Sequence, residues 1–349
     1  MSDVDFIVVT KDQLDFTRQC VESIFKNIRE SFHLIIVDNG SCEDTLAYLT
    51  QLNERQSARQ KVTVVLNHEN LGYALGLNKG LEFSNAPYVF FCNNDIEIFD
   101  EAVTEMIRIA NAKENFGLVN PNSNEFGLKG YDALFLNAQR GKWVERCHTS
   151  GFCVLVKREV IKKIKGIDPE FGPAYFEDMD FAERAKQAGF LCVVAKGAYI
   201  HHFGTRTFLA KEKQALWEKH KEKFIQKWGG TKWFLSVSGS SVIQNKSERE
   251  KLMAHLLQIA RREIAILYIF VPVGFGKYFR DIHDSFRIIE MPDFWMVPAG
   301  LIRALRSRTQ KPISKIFTWG ERGERNWSHF KALHGAQVFD LSKEAIAAS

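Results

Sequence analysis

Four short apolar runs in the first hundred residues decide the fold of this chain: FIVVT at 6–10, HLIIV at 33–37, VTVVL at 62–66 and YVFFC at 88–92. Each run is rich in β-branched or aromatic side chains and has the length of a buried strand. Between the runs, apolar residues recur at helical spacing, as they do from Gln13 to Ile28. This alternation of strands and helices predicts an α/β fold with a mostly parallel central sheet covered by helices.

The next part of the chain continues this alternation less regularly. Strands are predicted at Gly151–Val156 and Leu191–Val194, and helices at Lys157–Ile164, Phe176–Ala188 and Phe208–Trp228. Polar residues follow the ends of the first, second and fourth predicted strands. In an open α/β sheet, ligands bind at that carboxyl edge.

The length of 349 residues and the distribution of charge favour two domains. Residues 1–230 hold 29 Lys and Arg against 31 Asp and Glu, whereas residues 231–349 hold 18 against 11, a net charge of +7. The pair Gly229-Gly230 marks the expected boundary. This distribution argues against a nucleic-acid-binding protein with one continuous basic face, and it allows the C-terminal domain to face an anionic partner.

The sequence also bears on the compartment. Residues 1–13 lack a basic segment followed by an apolar one, so no secretory signal is expected. The apolar run Ile264–Gly276 contains Pro272 and is too short for a membrane-spanning helix. Six scattered cysteines without a CxxC pair indicate reduced thiols. We therefore expect a cytoplasmic protein.

Two polar clusters at strand ends could bind a ligand. Asp38 in VDNGS (37–41) could accept hydrogen bonds from a nucleotide base or ribose, or Asp38 and Ser41 could form a turn that caps the next helix. Asn93-Asn94-Asp95 suits a hard divalent cation next to a diphosphate, or an Asx turn. No GxxxxGK[ST] or GxGxxG pattern is present, which disfavours P-loop and dinucleotide-binding sites.

Two further clusters could supply a base or a metal ligand. Glu177-Asp178-Met179-Asp180 opens a predicted helix, where acids are favoured by the free N–H groups alone. An Asp partly withdrawn from water could instead act there as a general base. At His201-His202, one neutral imidazole could complete a metal site, or both rings could be structural.

In their order and spacing these motifs resemble the family 2 glycosyltransferases of the GT-A fold, particularly the rhamnosyltransferase-like group. The resemblance covers roughly residues 5–210, and it implies a GT-A fold, that of the nucleotide-diphospho-sugar transferases, with a mostly parallel central sheet. It rests on IVVTKDQ, LIIVDNGSCEDT, NLGYALGLNKGL, YVFFCNNDIEI, TSGFCVLVKREVI, FEDMDFAERAKQAGF and AYIHHFGTRTF.

The resemblance implies a role for each matching residue. Asp178 would be the catalytic base, with Glu177 beside it. Asp95 and His202 would hold a divalent metal ion, Mn²⁺ or Mg²⁺; His202 is favoured over His201 because it follows Gly189 at the spacing of the family's metal-binding histidine. Asp38 would bind a uracil or thymine ring. The residues implied to bind the nucleotide sugar are Thr10, Asp38, Ser41, Asn70, Gly72, Asn78, Asn93 and Asn94.

Two positions depart from the family pattern. The metal motif, usually DxD, reads NND here, so that Asn93 replaces the first acid and the motif supplies one carboxylate. The tyrosine that commonly follows the first-strand threonine is Lys11. Lower metal affinity is the expected consequence of the first departure.

The activity that the resemblance implies is inverting, metal-dependent hexosyl transfer from a UDP- or dTDP-sugar to a hydroxyl of a glycan or lipid-linked acceptor. The expected context is the synthesis of a bacterial surface polysaccharide such as O-antigen or capsule. Two alternatives stay open. A sugar nucleotidyltransferase normally has a glycine-rich basic loop where this chain has VVTKDQLD (8–15). A non-catalytic scaffold for another transferase is favoured only by the NND motif.

Residues 231–349 lie beyond the resemblance and are expected to be basic and mainly helical. Ser247–Leu267 has a helical pattern, and Trp295–Arg308 sets apolar side chains against three arginines. A helix of this kind packs on a neighbouring domain or lies on an anionic membrane surface, here the inner face of the cell membrane. Contact with the acceptor and a homodimer contact are further roles expected for this region.

Overall fold

The computed structural model describes residues 2–204, 210–306, 312–319 and 336–343. The chain divides into two compact units, Met1–Trp228 and Gly229–Ser349. Within the described ranges, no helix combines the length and the apolar character needed to cross a lipid bilayer.

The N-terminal unit alternates strands and helices from its first residues. Its strands are β1 (Val4–Thr10), β2 (Phe32–Asn39), β3 (Gln60–Asn67), β4 (Tyr88–Asn93), β5 (Ile96–Ile98), β6 (Phe116–Asn122), β7 (Trp143–Arg146), β8 (Cys153–Lys157) and β9 (Leu191–His202). Its helices are α1 (Leu14–Asn27), α2 (Glu43–Leu52), α3 (Gly72–Leu81), α4 (Ala102–Ala112), α5 (Ala133–Ala138), α6 (Arg158–Ile164), α7 (Glu177–Gln187) and α8 (Ala210–Trp228).

These nine strands form one sheet in the order β3-β2-β1-β4-β8-β6-β9-β5, with β7 paired to β9. The pairings of β1 with β2 and β4, of β2 with β3 and of β6 with β9 are parallel. Because β8 is antiparallel to both β4 and β6, those two strands run in the same direction. Six of the nine strands therefore share one direction, which confirms the predicted mostly parallel α/β sheet.

Strand β1 lies at the centre of this unit because both of its faces are apolar. Phe6 and Val8 belong to one hydrophobic core, and Ile7 and Val9 belong to the core on the opposite face. Burial on both faces produces the continuous apolar run seen in the sequence. In register, Thr10 pairs with Asp38 of β2, so the polar residues that end these strands lie at the same edge of the sheet.

Several elements of this unit were not predicted: β5, β6, β7, α4 and α5. The predicted strand Leu191–Val194 is much longer, since β9 continues through Lys196 and Gly197 to His202. Strand β9 stays extended across these two residues because it pairs with β6, β7 and β5. Phe208, the predicted start of α8, lies outside the described residues.

The C-terminal unit contains a second sheet. Its strands are β10 (Lys232–Val237), β11 (Ala265–Val271), β12 (Phe286–Glu290), β13 (Ile313–Thr318) and β14 (Gln337–Asp340), and its helices are α9 (Ser240–Gln244), α10 (Lys246–Arg262) and α11 (Asp293–Arg306). The strand order is β12-β11-β10-β13-β14, and every pairing is parallel.

The helices expected in this region are present, but its parallel sheet was not predicted. The predicted helix Ser247–Leu267 is wrong at its C-terminal end, because α10 stops at Arg262 and Ala265 begins a buried strand. A short apolar run such as AILYIFV has the pattern of either a buried helix or a buried strand. Arg308, the predicted end of the amphipathic helix, lies outside the described residues.

Candidate active site

A cavity of about 630 Å³ opens in the N-terminal unit beside the ends of β1, β2, β4 and β9. Nine of the residues singled out in the sequence line it: Thr10, Asn70, Gly72, Asn93, Asn94, Asp95, Glu177, Asp178 and His202. Asp38, Ser41 and Asn78 are not among the lining residues. The cavity lies at the carboxyl edge of the parallel strands, where open α/β sheets bind ligands.

Asp95 and His202 meet on one wall of this cavity. Oδ1 of Asp95 lies 3.2 Å from Nε2 of His202. The opposite ring nitrogen, Nδ1, lies 2.6 Å from Oε1 of Glu125. The ring of Phe152 stacks on the imidazole with centroids 5.0 Å apart and planes inclined by 16°. His202 is therefore fixed at both nitrogens and on one face.

The two carboxylates favour positive charge at this position. Burial opposes protonation of His202, but the hydrogen bonds with Asp95 and Glu125 outweigh it and raise the pKa of the imidazole to about 9. The hydrogen bond from His202 in turn lowers the pKa of Glu125. Either a proton on the ring or a cation between the ring and Asp95 satisfies this arrangement.

The donor set fits a divalent cation. Neighbouring ligands of an octahedral ion with bonds of about 2.1 Å lie about 3 Å apart, close to the separation of Asp95 Oδ1 and His202 Nε2. A carboxylate beside a hydrogen-bonded imidazole is a common ligand pair for such ions. Glu125 would then orient the ring and set its tautomer. The structure thus brings together the two residues that the sequence indicated as metal ligands.

The amides of the NND motif hold this wall in place. Nδ2 of Asn93 lies 3.3 Å from Nε2 of His202. Nδ2 of Asn94 donates to the hydroxyls of Thr10 (3.2 Å) and Thr17 (3.0 Å), which are 2.8 Å apart. Asn94 and Thr10 therefore tie the motif to β1 and α1, and both still border the cavity.

Glu177 and Asp178 bring two carboxyl groups to the same cavity at the start of α7. Oδ2 of Asp178 accepts the backbone N–H of Gly151 (3.0 Å), and Oδ1 accepts that of Met179 (2.8 Å). Oε2 of Glu177 is buried and has no hydrogen-bond partner among the described residues. The two neighbouring acids thus lie in different environments.

These different environments give Glu177 and Asp178 different pKa values. Burial, reinforced by the charge of Asp178, raises the pKa of Glu177 to about 8. Burial also raises the pKa of Asp178, but its two backbone hydrogen bonds and His148 act in the opposite direction. Because N–H donors stabilise a carboxylate, Asp178 is the member of the pair that ionises first. Glu177 keeps its proton at neutral pH.

The backbone before α7 lies in an unusual conformation. Tyr175 and Phe176 both have positive φ angles, 73° and 69°, although neither is glycine. The carbonyl of Pro173 accepts the N–H of Tyr73 (2.9 Å), which joins this loop to α3. Gly72 must be glycine at this junction, because its φ is +79° and a Cβ would lie 2.6 Å from Pro173 Cα.

The side chain of Asp38 forms the predicted turn with one oxygen and leaves the other oxygen for a ligand. Its Oδ2 accepts the N–H groups of Gly40 (3.0 Å) and Ser41 (3.1 Å), as in the turn interpretation. Its Oδ1 is buried and has no hydrogen-bond partner among the described residues. That oxygen could accept a hydrogen bond from a ligand. The next residue, Asn39, lines the cavity.

Two residues predicted to bind the nucleotide sugar have other uses here. Both polar atoms of the Asn78 side chain bond the backbone of Ile167, at 2.7 and 2.8 Å, and its role in ligand binding stays a prediction. The hydroxyl of Ser41 accepts the N–H of Asp12 at 2.6 Å and so joins the segment after β2 to the segment after β1. Asn70, by contrast, lines the cavity while its Oδ1 accepts the N–H of Gly72 (2.9 Å).

Sequence reasoning missed several residues of the site. Glu125 lies in a short turn after β6, and its partner His202 is at the far end of β9, so no local pattern identifies it. Tyr73 and Phe152 lie inside motifs that carried the resemblance, NLGYALG and TSGFCV, which was a signal that they border the site. Asn39 follows Asp38 directly.

Part of this chain matches a known protein family. Residues 5–165, a little under half of the chain, match the family described as glycosyl transferase family 2. The family supports a role in glycosyl transfer and confirms the resemblance, while the rhamnosyltransferase-like group stays a prediction. Asp95 lies inside the family 2 segment, whereas Asp178 and His202 lie beyond its end.

Three solved structures are similar to parts of this chain. GalNAc-T7 with UDP, GalNAc and Mn²⁺ has a TM-score of 0.52 at 10% identity, over 89% of this chain and 59% of that chain. The mannosyltransferase PcManGT from Pyrobaculum calidifontis, in complex with GDP-Man and Mn²⁺, is 17% identical with a TM-score of 0.48, over 59% of this chain and 58% of that chain. TarS 1–349 of S. aureus is 13% identical with a TM-score of 0.45, over 64% of this chain and 72% of that chain. The predicted GT-A fold is thus confirmed by the family and by the likeness to GalNAc-T7.

A curated relative is the uncharacterized protein y4gI of Sinorhizobium fredii (strain NBRC 101917 / NGR234). It is 25% identical over 223 residues, which are 57% of this chain and 24% of that protein. The chain therefore spans about a quarter of the length of this curated relative.

Proposed function

We propose that this chain is an inverting, metal-dependent glycosyltransferase that moves a sugar from a UDP- or dTDP-sugar to a hydroxyl of a glycan or lipid-linked acceptor. One observation carries the proposal: a single cavity holds both the Asp95–His202 pair and the Asp178 carboxylate. A diphosphate leaving group needs positive charge beside it, and an attacking hydroxyl needs a base.

Asp178 is the base in this scheme. As the acceptor oxygen bonds to the anomeric carbon, its proton passes to the Asp178 carboxylate. The bond from that carbon to the diphosphate oxygen breaks, and its electron pair leaves with the nucleoside diphosphate. A single displacement of this kind inverts the configuration at the anomeric carbon. Glu177 keeps its proton and therefore adds no second negative charge next to the donor.

Asp95 and His202 would hold the divalent cation, which neutralises charge on the diphosphate when it is bound. The contribution of the chain is to fix these two ligands. Glu125 bonds the far nitrogen of His202 and Phe152 stacks on its ring, which keeps Nε2 directed at Asp95. Since one carboxylate comes from the NND motif, Glu125 supplies the additional negative charge nearby.

The choice of nucleotide is proposed from Asp38. Its unpartnered Oδ1 suits an N–H donor, such as N3–H of uracil or thymine. Cytosine and adenine present an acceptor nitrogen at the corresponding position. We therefore place UDP and dTDP ahead of CDP and ADP as the leaving group.

The composition and surface of the C-terminal unit support association with a membrane. Residues 231–349 carry a net charge of +7, and Phe294 and Trp295 at the start of α11 are 74% and 53% exposed. Basic charge with exposed aromatic side chains suits the interface of an anionic bilayer. This agrees with a lipid-linked acceptor in O-antigen or capsule synthesis at the inner face of a bacterial membrane.

The membrane proposal has a direct test. The full chain should float with vesicles that contain phosphatidylglycerol and stay behind with phosphatidylcholine alone. Phe294→Ser with Trp295→Ser should weaken flotation, and no flotation by the unaltered chain contradicts the proposal. A homodimer contact, another role expected for this unit, would double the molecular mass of the protein measured by light scattering.

The donor proposal is tested by a thermal-shift panel of UDP, dTDP, GDP, CDP and ADP, each with Mn²⁺, Mg²⁺ or EDTA. A ligand at one hundred times its Kd stabilises the folded protein by about 2.7 kcal/mol. We expect a metal-dependent shift with UDP or dTDP, followed by release of that nucleotide from its sugar conjugate. No shift with any nucleotide and no donor hydrolysis would favour the scaffold alternative.

A further inference from the structure

We propose that His220 on α8 is a positioning residue, which holds the loop Gly172–Phe176 so that Glu177 and Asp178 face the cavity. This inference rests on the function proposed above. We call this segment the pre-α7 loop. Three of its residues, Pro173, Ala174 and Tyr175, line the cavity, and α7 starts directly after it.

His220 bonds the backbone of this loop directly. Its Nδ1 lies 2.8 Å from the carbonyl oxygen of Ala174 and 3.1 Å from that of Tyr175. Both partners are acceptors, so Nδ1 carries the hydrogen and donates to them. The side chain is only 1% exposed, and its ring lies edge-on to Phe171 with centroids 6.0 Å apart. A buried donor is thus shared by two carbonyls beside the cavity.

The loop needs such a contact because its backbone is strained. Tyr175 and Phe176 both occupy the left-handed region, which is sterically unfavourable for a residue with a Cβ. Two such residues in succession persist only where the surroundings hold them. The carbonyls that His220 bonds belong to Tyr175 itself and to the residue before it. Release of these carbonyls would let the turn relax and would redirect the first residues of α7.

The rest of α8 supports the same assembly. The ring of Phe176 packs between Trp217 and Phe224, with centroids 5.8 and 5.5 Å away. At the end of the helix, Lys227 Nζ and Trp228 Nε1 bond Oδ1 of the fully buried Asp180 at 2.8 and 2.9 Å. Helix α8 therefore bonds to α7 through Asp180, and His220 bonds the loop that precedes α7.

This arrangement predicts an effect on the chemical step more than on donor binding. Of the residues proposed to hold the nucleotide and the cation, Asp38 and His202 belong to β2 and β9, and Asp95 lies between β4 and β5. The two hydrogen bonds of His220 are made to the pre-α7 loop instead. Loss of its donor should therefore misplace Asp178 while the donor site stays intact.

Two pairs of variants test this proposal in the full chain. His220→Phe keeps a buried ring but removes the donor. His220→Asn places an amide N–H where Nδ1 lies, whereas His220→Gln places it nearer the position of Nε2. His33→Phe is the control for loss of a buried histidine elsewhere, since His33 bonds Thr63 between β2 and β3. The readouts are kcat, the KM and Kd for the donor nucleotide, and hydrogen exchange of the amides at 172–178.

We expect His220→Phe and His220→Gln to lower kcat about 10- to 100-fold, because small misplacements of a reacting group have effects of that size. The Kd for the nucleoside diphosphate should stay within about threefold, and exchange at 172–178 should rise. His220→Asn should retain most of the activity and the slow exchange. Wild-type kcat in His220→Phe, or equal losses in the Asn and Gln variants, would overturn the proposal.

Failure of the proposed function would look different. The unaltered chain would then bind no nucleoside diphosphate and transfer no sugar, while the exchange experiment could still be done. Faster exchange at 172–178 in His220→Phe, restored in His220→Asn, would support the hold on the loop. Unchanged exchange would overturn it.

Discussion

Oδ1 of Asp95 lies 3.2 Å from Nε2 of His202, and backbone pairing sets this separation. Strand β5, which begins directly after Asp95, is antiparallel to β9, and Ile96 lies opposite His202. The N–H of Phe203 also donates to the carbonyl of Asp95 at 2.9 Å. The two side chains are thus held at the spacing of neighbouring metal ligands by the sheet itself, not by a mobile loop.

The first prediction concerns this pair. Asp95→Ala and His202→Ala should each weaken Mn²⁺-dependent nucleotide binding by at least about tenfold, because each removes a proposed ligand. Titration calorimetry of UDP with Mn²⁺ and with EDTA measures the effect. His201→Ala is the matched control, because His201 is the adjacent histidine and its Nδ1 bonds Tyr199 instead. Equal losses in His201→Ala and His202→Ala would refute the assignment.

The second prediction concerns the contact between Gly72 and the pre-α7 loop. Gly72→Ala should destabilise the fold by roughly 2–4 kcal/mol, because it adds a clash with Pro173 to an unfavourable φ. Gly189 has a similar φ of +92° but open space around its Cβ position, so Gly189→Ala should cost only about 1 kcal/mol. Urea unfolding of the three proteins compares the two costs. A Gly72→Ala variant as stable as Gly189→Ala would show that the contact is not tight.

The third prediction is a pH dependence of stability. Since the pKa of Glu177 is about 8 in the folded chain and near 4.5 when unfolded, the folded state binds more protons between these values. The free energy of unfolding should therefore fall as pH rises from about 5 to 8, by at most about 1.4 kcal/mol per pH unit from this group. Below pH 5 this contribution is fully present.

Glu177→Gln removes that titration, so its stability should fall less over the same range. Urea unfolding at intervals from pH 5 to 8.5 measures the difference from the unaltered chain. Glu159→Gln, at an exposed position on α6, is the control. If the Glu177→Gln curve runs parallel to the wild-type curve, Glu177 is not the buried, protonated acid described above.

The sequence predicted the first half of the N-terminal sheet because β1, β2, β3 and β4 are apolar runs bounded by turn residues. It did not predict β5 or β7, which have three and four residues and depend on pairing with β9. The same limit applies to the C-terminal sheet. Its strands pair in parallel across long stretches of chain, and no local pattern encodes such pairing.

The candidate site was predictable to the extent that its residues lie in motifs. Asp95, Asp178 and His202 are predicted from the resemblance, and the fold brings them to one cavity. Glu125 and His220 were missed because each acts through a partner distant in sequence. Asn78 was assigned to the ligand since its motif borders the site, but helix α3 turns this side chain towards Ile167.

The most direct test of the central claim is the turnover of Asp178→Asn beside that of Glu177→Gln, with the donor identified by the nucleotide panel. We predict that Asp178→Asn lowers kcat about 10²–10⁴-fold, the usual contribution of a general base, while donor affinity changes less than about threefold. Glu177→Gln should keep kcat within about tenfold, because the acid it replaces is already uncharged. Wild-type kcat in Asp178→Asn would contradict the account.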